Sequence, residues 1–170
     1  MDMIKETEYK IIPINMGEYY IGLREHLILV AANLGSCVGL SIYDQKNNVG
    51  GMSHIVLPYS KQDDVTQNLS KYADTSIPLL IEQLCRLGAQ KNRMACKIAG
   101  GAKMLEIYDA NNYDSSIGSR NVEAVCKILN NYSIPIIALD VGGTISRTLR
   151  LYLDTGRVTV QWQGDREKVL

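Results

Sequence analysis

The chain has 170 residues, of which 46% are hydrophobic and 21% charged, and its 18 basic residues balance its 18 acidic ones. This size and composition are typical of one globular domain, and the charge balance argues against nucleic acid and anionic membranes as partners. No apolar run approaches the roughly 18 residues of a membrane span, and the N-terminus lacks the apolar core of a signal peptide. We predict a single cytoplasmic domain over residues 1–170, with residues 1–8 as a loose N-terminus.

Short strands outnumber helices along the chain. Apolar residues at helical spacing predict one helix over residues 73–87 and a second helix that begins with Ser119 as its N-cap. The polar segment 59–70 is predicted to be a mobile loop. Many short strands with two helices favour an α+β fold in layers over a doubly wound parallel sheet. Alternating or continuous apolar runs predict strands at residues 11–14, 19–21, 27–32, 38–43, 52–57, 94–99, 134–139, 149–153 and 158–162.

The predicted hairpin over residues 38–57 brings a cysteine close to one of the two histidines of the chain. If the tightest turn closes the hairpin, Cys37 lies directly opposite His54. Any other loop of even length without a bulge still keeps the two residues on one face, within a diagonal step. The register itself is open, because the loop carries neither an Asn-Gly nor an Asp-Gly signal.

A thiol next to an imidazole suggests nucleophilic chemistry. The thiolate is the reactive form of cysteine, and His54 can take the proton from Cys37. Gly35 and Ser36 predict a sharp turn before the cysteine, whose N–H groups can face a developing oxyanion. Packing roles for Cys37 and His54 fit the same spacing, so the residues alone leave both interpretations open. His26, the other histidine, is predicted to be a surface residue beside a carboxylate.

The remaining cysteines are Cys85, Cys96 and Cys126, and each falls on a predicted apolar face. We predict that they are buried and inert. The four cysteines contain no C-x-x-C pair and have no histidine at ligand spacing, which argues against a zinc site and against a disulfide framework. No metal or other cofactor is predicted.

Six motifs in order along the chain match one known family: Leu34-Gly35-Ser36-Cys37-Val38, Gly50-Gly51-Met52-Ser53-His54 with Leu57-Pro58, Lys71-Tyr72-Ala73-Asp74, Lys97-Ile98-Ala99-Gly100-Gly101-Ala102, Ile117-Gly118-Ser119-Arg120-Asn121-Val122-Glu123-Ala124 and Asp140-Val141-Gly142-Gly143. On these motifs the sequence resembles CheD, the chemoreceptor glutamine deamidase of bacterial and archaeal chemotaxis. The resemblance covers nearly the whole chain and implies that residues 1–170 are a CheD-like cysteine hydrolase domain.

The resemblance implies a single-domain α/β/β/α layered sandwich with mixed, largely antiparallel sheets, similar to the catalytic domain of the cytotoxic necrotizing factor toxins. It places the catalytic roles on Cys37 and His54. The implied reaction hydrolyses a glutamine side chain to glutamate and ammonia through a cysteine thioester, without a cofactor. The implied substrate is the cytoplasmic helical bundle of a methyl-accepting chemotaxis receptor, and the implied partner is CheC, a phosphatase of phosphorylated CheY.

Two positions depart from the family pattern. A threonine stands six residues before the cysteine in the family, but this chain has Ala31, and Ser146 alters a glycine-rich motif before Arg147. We expect weakened activity, with His54 held by a backbone carbonyl or by a nearby polar side chain such as Asn33. We expect Ala31→Thr to raise the rate about tenfold or more. Alternatives are a regulatory binding module that stimulates CheC and a receptor methylesterase. Five matched residues receive no chemical role: Gly100, Gly101, Arg120, Asn121 and Asp140.

Overall fold

A computed structural model describes residues 9–61, 68–104, 116–164 and 167–170. The predicted loose N-terminus, residues 1–8, lies outside the described residues, and so do residues 62–67 of the predicted mobile loop. The elements are β1 (Lys10–Pro13), β2 (Tyr19–Leu23), β3 (Leu27–Leu34), β4 (Val38–Asp44), β5 (Val49–Ile55), α1 (Ala73–Arg86), β6 (Met94–Gly100), α2 (Ile117–Asn131), β7 (Ile136–Val141), β8 (Arg147–Tyr152), β9 (Val158–Trp162) and β10 (Lys168–Val169), with short 3-10 turns at Leu69–Lys71 and Lys91–Arg93.

The strands of the described residues form two sheets of five. The first sheet has the order β1-β3-β8-β9-β10, and the second has the order β2-β5-β4-β6-β7. Strands β1 and β3 pair in parallel, as do β6 and β7, whereas the other neighbours are antiparallel. The predicted α+β layered sandwich with mixed, largely antiparallel sheets is therefore confirmed. The predicted central hairpin is β4 and β5, and β4 is the middle strand of the second sheet.

Two apolar clusters define the layers. Along β4, Leu40 and Ile42 belong to the cluster between the second sheet and the helices, whereas Tyr43 belongs to the cluster between the two sheets. This alternation is why every residue of β4 and β5 is buried. Both α-helices pack on the second sheet. The described part of the chain thus has three layers, in the order helices, second sheet, first sheet. An α/β/β/α order would place a further helix outside the first sheet, and the described residues contain no such helix.

The second helix begins three residues earlier than predicted. Its N-cap is Ser116, whose side-chain oxygen accepts a hydrogen bond from the N–H of Ser119, so the predicted cap residue is the third residue of the helix. The two serines have the same capping chemistry, and tertiary contact selects the first one. Gly118 lies against the carbonyl of Ala102, where a Cβ atom would come within 2.4 Å of that oxygen. No helix among the described residues is long and apolar enough to cross a membrane.

Candidate active site

Cys37 and His54 lie on the same face of the central hairpin, one diagonal step apart. In the observed register Val38 pairs with Ile55 and Gly39 pairs with His54. Cys37 immediately precedes β4 and belongs to the apolar cluster between the sheets, where its residue is 7% exposed. The predicted direct opposition of Cys37 and His54 is wrong, and the diagonal alternative is what the structure shows.

The loop of the hairpin explains this register. Asp44 pairs with Val49, which leaves a four-residue loop in place of the tightest two-residue turn. The Oδ1 atom of Asp44 accepts hydrogen bonds from the N–H groups of Lys46 and Asn47, and Asn48 adopts a left-handed φ of 50°. These side-chain bonds stabilise the longer loop, and they shift the pairing by two residues relative to the tightest turn.

His54 is held on three sides by the segment that joins β1 to β2. Its Nδ1 atom lies 2.9 Å from the carbonyl oxygen of Ile14, and its backbone N–H and C=O groups bond to Glu18 and Gly17. Because a carbonyl can only accept, Nδ1 carries the hydrogen. The Nε2 atom is buried and has no hydrogen-bond partner among the described residues. The ring is thus fixed in the tautomer whose Nε2 can accept a proton.

Burial keeps both members of the pair neutral near pH 7. It lowers the pKa of the His54 imidazole from its ordinary value of 6.5, although the contacts with Ile14 and Glu18 act in the opposite direction. Burial also raises the pKa of the Cys37 thiol from its ordinary value of 9.0, and the N–H group of the same residue partly offsets this rise. At neutral pH the site therefore holds an uncharged thiol and an uncharged imidazole.

The predicted diglycine turn at the end of β6 supports the turn that carries Cys37. The N–H of Gly101 donates to the carbonyl of Cys37 at 2.8 Å, and the N–H of Ala102 donates to the carbonyl of Gly35 at 2.7 Å. Gly100 has a φ of +110°, and a Cβ atom on it would lie 2.2 Å from the Cys37 carbonyl oxygen. Only glycine permits this approach, so the two glycines have a structural role at the site.

Asn121 is the residue at this site that sequence reasoning missed. It lies on α2, is fully buried, and its Nδ2 atom donates to the carbonyls of Ser36 at 2.8 Å and Val56 at 2.9 Å. A signal was present in the sequence. Position 121 falls on the same face of α2 as Val125 and Ile128, and a polar residue on an apolar face needs hydrogen-bond partners when buried.

Neither position 31, where the family has a threonine, nor Asn33 supplies a partner for His54. Ala31 is fully buried in the cluster between the sheets and pairs with Leu149. Asn33 is exposed. The main chain at Ile14 supplies the acceptor instead, which is the backbone alternative predicted from the sequence.

The other titratable candidates lie away from this pair. Cys96 is buried as predicted, but Cys126 is half-buried and Cys85 is exposed. The prediction for Cys85 is wrong, because the core-facing stripe of α1 runs through Leu84 and leaves the next residue turned toward solvent. His26 is a surface residue 3.7 Å from Asp154, as predicted. No three His, Cys, Asp or Glu side chains of the described residues lie close enough together to bind a metal ion.

Asp140 and Arg147 form a buried ion pair that joins the two sheets. Arg147 on β8 donates to both the carboxylate and the backbone carbonyl of Asp140 at the end of β7. The same carboxylate accepts from Trp162 at 3.0 Å and from Lys168 at 2.9 Å. Burial alone would raise the pKa of Asp140, but these donors outweigh it and hold the pKa below its ordinary value of 3.8.

The molecule is thus an α+β sandwich that carries a buried cysteine and an oriented histidine on one face of its central hairpin. Residues 56–162 match the family model described as CheD chemotactic sensory transduction. The match begins two residues after His54, so it includes neither member of the pair.

Curated relatives extend the similarity over nearly the whole chain. A protein of Symbiobacterium thermophilum is 40% identical over 158 residues, which are 92% of this chain and 95% of that protein. A protein of Clostridium botulinum is 38% identical over 161 residues, which are 95% of both chains. Both are named "Probable chemoreceptor glutamine deamidase CheD". This chain belongs to the CheD family, as its motifs indicated.

One solved structure shows a weaker similarity. The hypothetical protein YfiH of Bacillus licheniformis is 13% identical, with a TM-score of 0.44 over 81% of this chain and 60% of that chain. Similarity at this level carries no conclusion about function.

Proposed function

We propose that this protein is a chemoreceptor glutamine deamidase that hydrolyses a protein glutamine side chain to glutamate and ammonia. The observation that carries the proposal is the state of His54. Its Nδ1 hydrogen is committed to the Ile14 carbonyl. Its Nε2 has no hydrogen-bond partner in the part of the chain that the structure describes, and it lies on the hairpin face that also carries Cys37. The printed names of the relatives supply the class of substrate.

In the first step Nε2 of His54 takes the thiol proton, and Sγ of Cys37 attacks the carboxamide carbon of the substrate glutamine. The carbonyl oxygen becomes an oxyanion, for which we assign the N–H of Cys37 as a donor, because this group already lowers the pKa of the thiol of the same residue. Protonated His54 then gives its proton to the amide nitrogen, the carbon–nitrogen bond breaks, and ammonia leaves.

The second half of the reaction restores the enzyme. Water loses a proton to Nε2 of His54 and attacks the thioester carbon. The carbon–sulfur bond breaks, the thiol of Cys37 recovers its proton, and the product is a glutamate side chain. Diagonal neighbours on a sheet lie about 7–8 Å apart. Catalytic contacts that are long in a free enzyme can tighten when the substrate binds.

Two other functions are consistent with parts of the site. Ala31 favours a regulatory module that binds and stimulates a CheC phosphatase with little catalysis of its own. The same thioester chemistry on a receptor glutamyl methyl ester would release methanol and make the protein a methylesterase. The Ile14 carbonyl argues for catalysis over the binding module, because it supplies what a threonine hydroxyl at position 31 would otherwise have to supply.

The test is incubation of the purified protein with the cytoplasmic fragment of a chemoreceptor, followed by peptide mass spectrometry. Deamidation replaces an amide NH₂ by OH and raises the peptide mass, whereas hydrolysis of a methyl ester lowers the peptide mass by that of one methylene group. We expect deamidation by the wild-type protein and none by Cys37→Ala. If neither modification appears while the protein still binds CheC, the binding module is the correct function.

A further inference from the structure

The buried carboxamide of Asn121 contacts the main chain beside both members of the proposed catalytic pair, just beyond the ends of β4 and β5. Its Nδ2 atom donates to the carbonyl of Ser36, the residue before Cys37, and to the carbonyl of Val56, two residues after His54. Asn121 is fully buried. It therefore contacts main chain rather than solvent, and the steps of the proposed reaction do not use it directly.

The bond to Ser36 fixes the direction of the Cys37 N–H. In a planar trans peptide, the C=O of one residue and the N–H of the next point in opposite directions. A Ser36 carbonyl held toward α2 therefore directs the Cys37 N–H away from the helix. The Cys37 side chain also lies on that side, in the cluster between the sheets, and the N–H favours the thiolate of the same residue.

The bond to Val56 closes the hairpin at its open end. Val56 directly follows Ile55, the last residue of β5. Because Ile55 pairs with Val38, Val56 stands opposite Cys37. Its N–H donates to the carbonyl of Lys71 instead of to the neighbouring strand. Asn121 thus bridges Ser36 and Val56 where the regular ladder of β4 and β5 has ended.

We propose that Asn121 is a positioning residue, which aims the N–H of Cys37 at its thiol and at the oxyanion that forms there. Its part in the reaction rests on the proposed deamidase function. Its effect on the thiol does not require a substrate, so the two can be tested separately.

The experiment measures the ionisation of Cys37 in protein labelled with ¹³C at the cysteine Cβ atoms, with signals assigned by single Cys→Ser variants. Without the bond from Asn121 to the Ser36 carbonyl, the N–H of Cys37 is no longer held toward the thiolate. Asn121→Ala should therefore raise the titration midpoint of Cys37 by about one pH unit. At any pH well below the midpoint, this shift leaves about tenfold less thiolate. The matched control is Val125→Ala, which removes buried atoms from the same face of α2 without touching either carbonyl.

A Cys37 midpoint that is unchanged or lower in Asn121→Ala, or that rises equally in Val125→Ala, would overturn the proposal. A measurement on the wild-type protein covers the case in which the variant does not fold. The side-chain amide signals of Asn121 should shift with the Cys37 midpoint and should stop doing so in Cys37→Ser. Amide signals that do not follow the thiol contradict the proposal. If the Cys37 midpoint shifts as expected but the receptor assay fails, the deamidase function is rejected and the positioning of the Cys37 N–H by Asn121 stands.

Discussion

The carbonyl oxygen of Ile14 lies 2.9 Å from Nδ1 of His54, so the imidazole is oriented by the main chain. Hydrogen bonds from Gly17 and to Glu18 fix the backbone of the same histidine. A third group in such a site selects the tautomer that leaves the other ring nitrogen free to accept a proton. Because a backbone acceptor is present at every residue, this arrangement does not depend on the side chain at position 31.

The substitution Ala31→Thr is expected to change the deamidation rate by less than about threefold. The sequence alone predicted a gain of about tenfold, but Nδ1 of His54 already has an acceptor in the structure. Ala31 is fully buried among apolar side chains, so a hydroxyl there should lower the free energy of unfolding by about 1–3 kcal/mol. Receptor-fragment kinetics and urea unfolding measure the two effects.

The control for this prediction is Ala31→Val, which adds the same volume without a hydroxyl. If Ala31→Thr raises the rate tenfold and Ala31→Val does not, then the threonine hydroxyl limits this protein and the Ile14 carbonyl is an insufficient substitute.

The substitution Cys37→Ala should abolish deamidation while lowering the free energy of unfolding by no more than about 1.5 kcal/mol, because one lost atom leaves a small cavity. Cys96→Ala is the matched control, since Cys96 is a buried thiol in the other apolar cluster. It should cost similar stability and leave the rate unchanged. Activity in Cys37→Ala, or its loss in Cys96→Ala, would show that Cys37 is not the nucleophile.

The deamidation rate should depend on pH as a bell with a neutral plateau. Neutral His54 is needed to take the thiol proton, and burial lowers its pKa, so kcat/KM should fall only below pH 6.5. Burial raises the pKa of Cys37, so ionisation of the free thiol should limit the rate only above pH 9.0. An acid limb above pH 6.5 would contradict a buried neutral imidazole.

The substitution Glu18→Gln also tests whether the pKa of His54 sets the acid limb, in this case by lowering that pKa. The charge of Glu18 raises the pKa of His54, although burial and the Ile14 contact are larger influences. Its removal should therefore move the acid limb to lower pH and raise the activity there relative to wild type. Asn15 can still donate to the amide oxygen of the glutamine, so the turn keeps its bonds. An acid limb that does not move would mean that another group sets it.

Periodicity predicted the elements of this fold well because it reports burial: β4 alternates between two packed faces, and the first four residues of β8 alternate between buried and half-buried. Periodicity did not predict the hairpin register. That register follows from hydrogen bonds between the Asp44 carboxylate and two N–H groups of the loop. The loop sequence contains no turn motif that predicts these bonds. Similarly, Ser116 and Ser119 have equal capping chemistry, and the sequence does not reveal the close contact of Gly118 with Ala102 in the first turn of the helix.

The pair Cys37 and His54 could be selected from the sequence because both residues fall on one hairpin. Their supports come from distant parts of the chain: Ile14 lies 40 residues from His54, and Asn121 lies 85 residues from Ser36. A backbone carbonyl has no sequence signature. Asn121 had one, as a polar residue on an apolar helix face, but its partners depend on how α2 packs beside the hairpin.

The last prediction concerns Arg147, whose guanidinium is buried against Asp140. Arg147→Met removes one partner of a buried ion pair and should lower the free energy of unfolding by about 3 kcal/mol at neutral pH. The folded-state pKa of Asp140 is lowered, so its contribution is complete above the ordinary value of 3.8 and is lost as the pH falls through the folded-state value. The difference between variant and wild type in urea unfolding should therefore shrink below pH 3.8. Arg150→Met, on the same strand with a longer 3.9 Å contact to Glu167, should cost no more than about 1 kcal/mol. A difference for Arg147→Met that stays constant with pH would mean that its bonds to backbone carbonyls, and not the charge of Asp140, provide the stability.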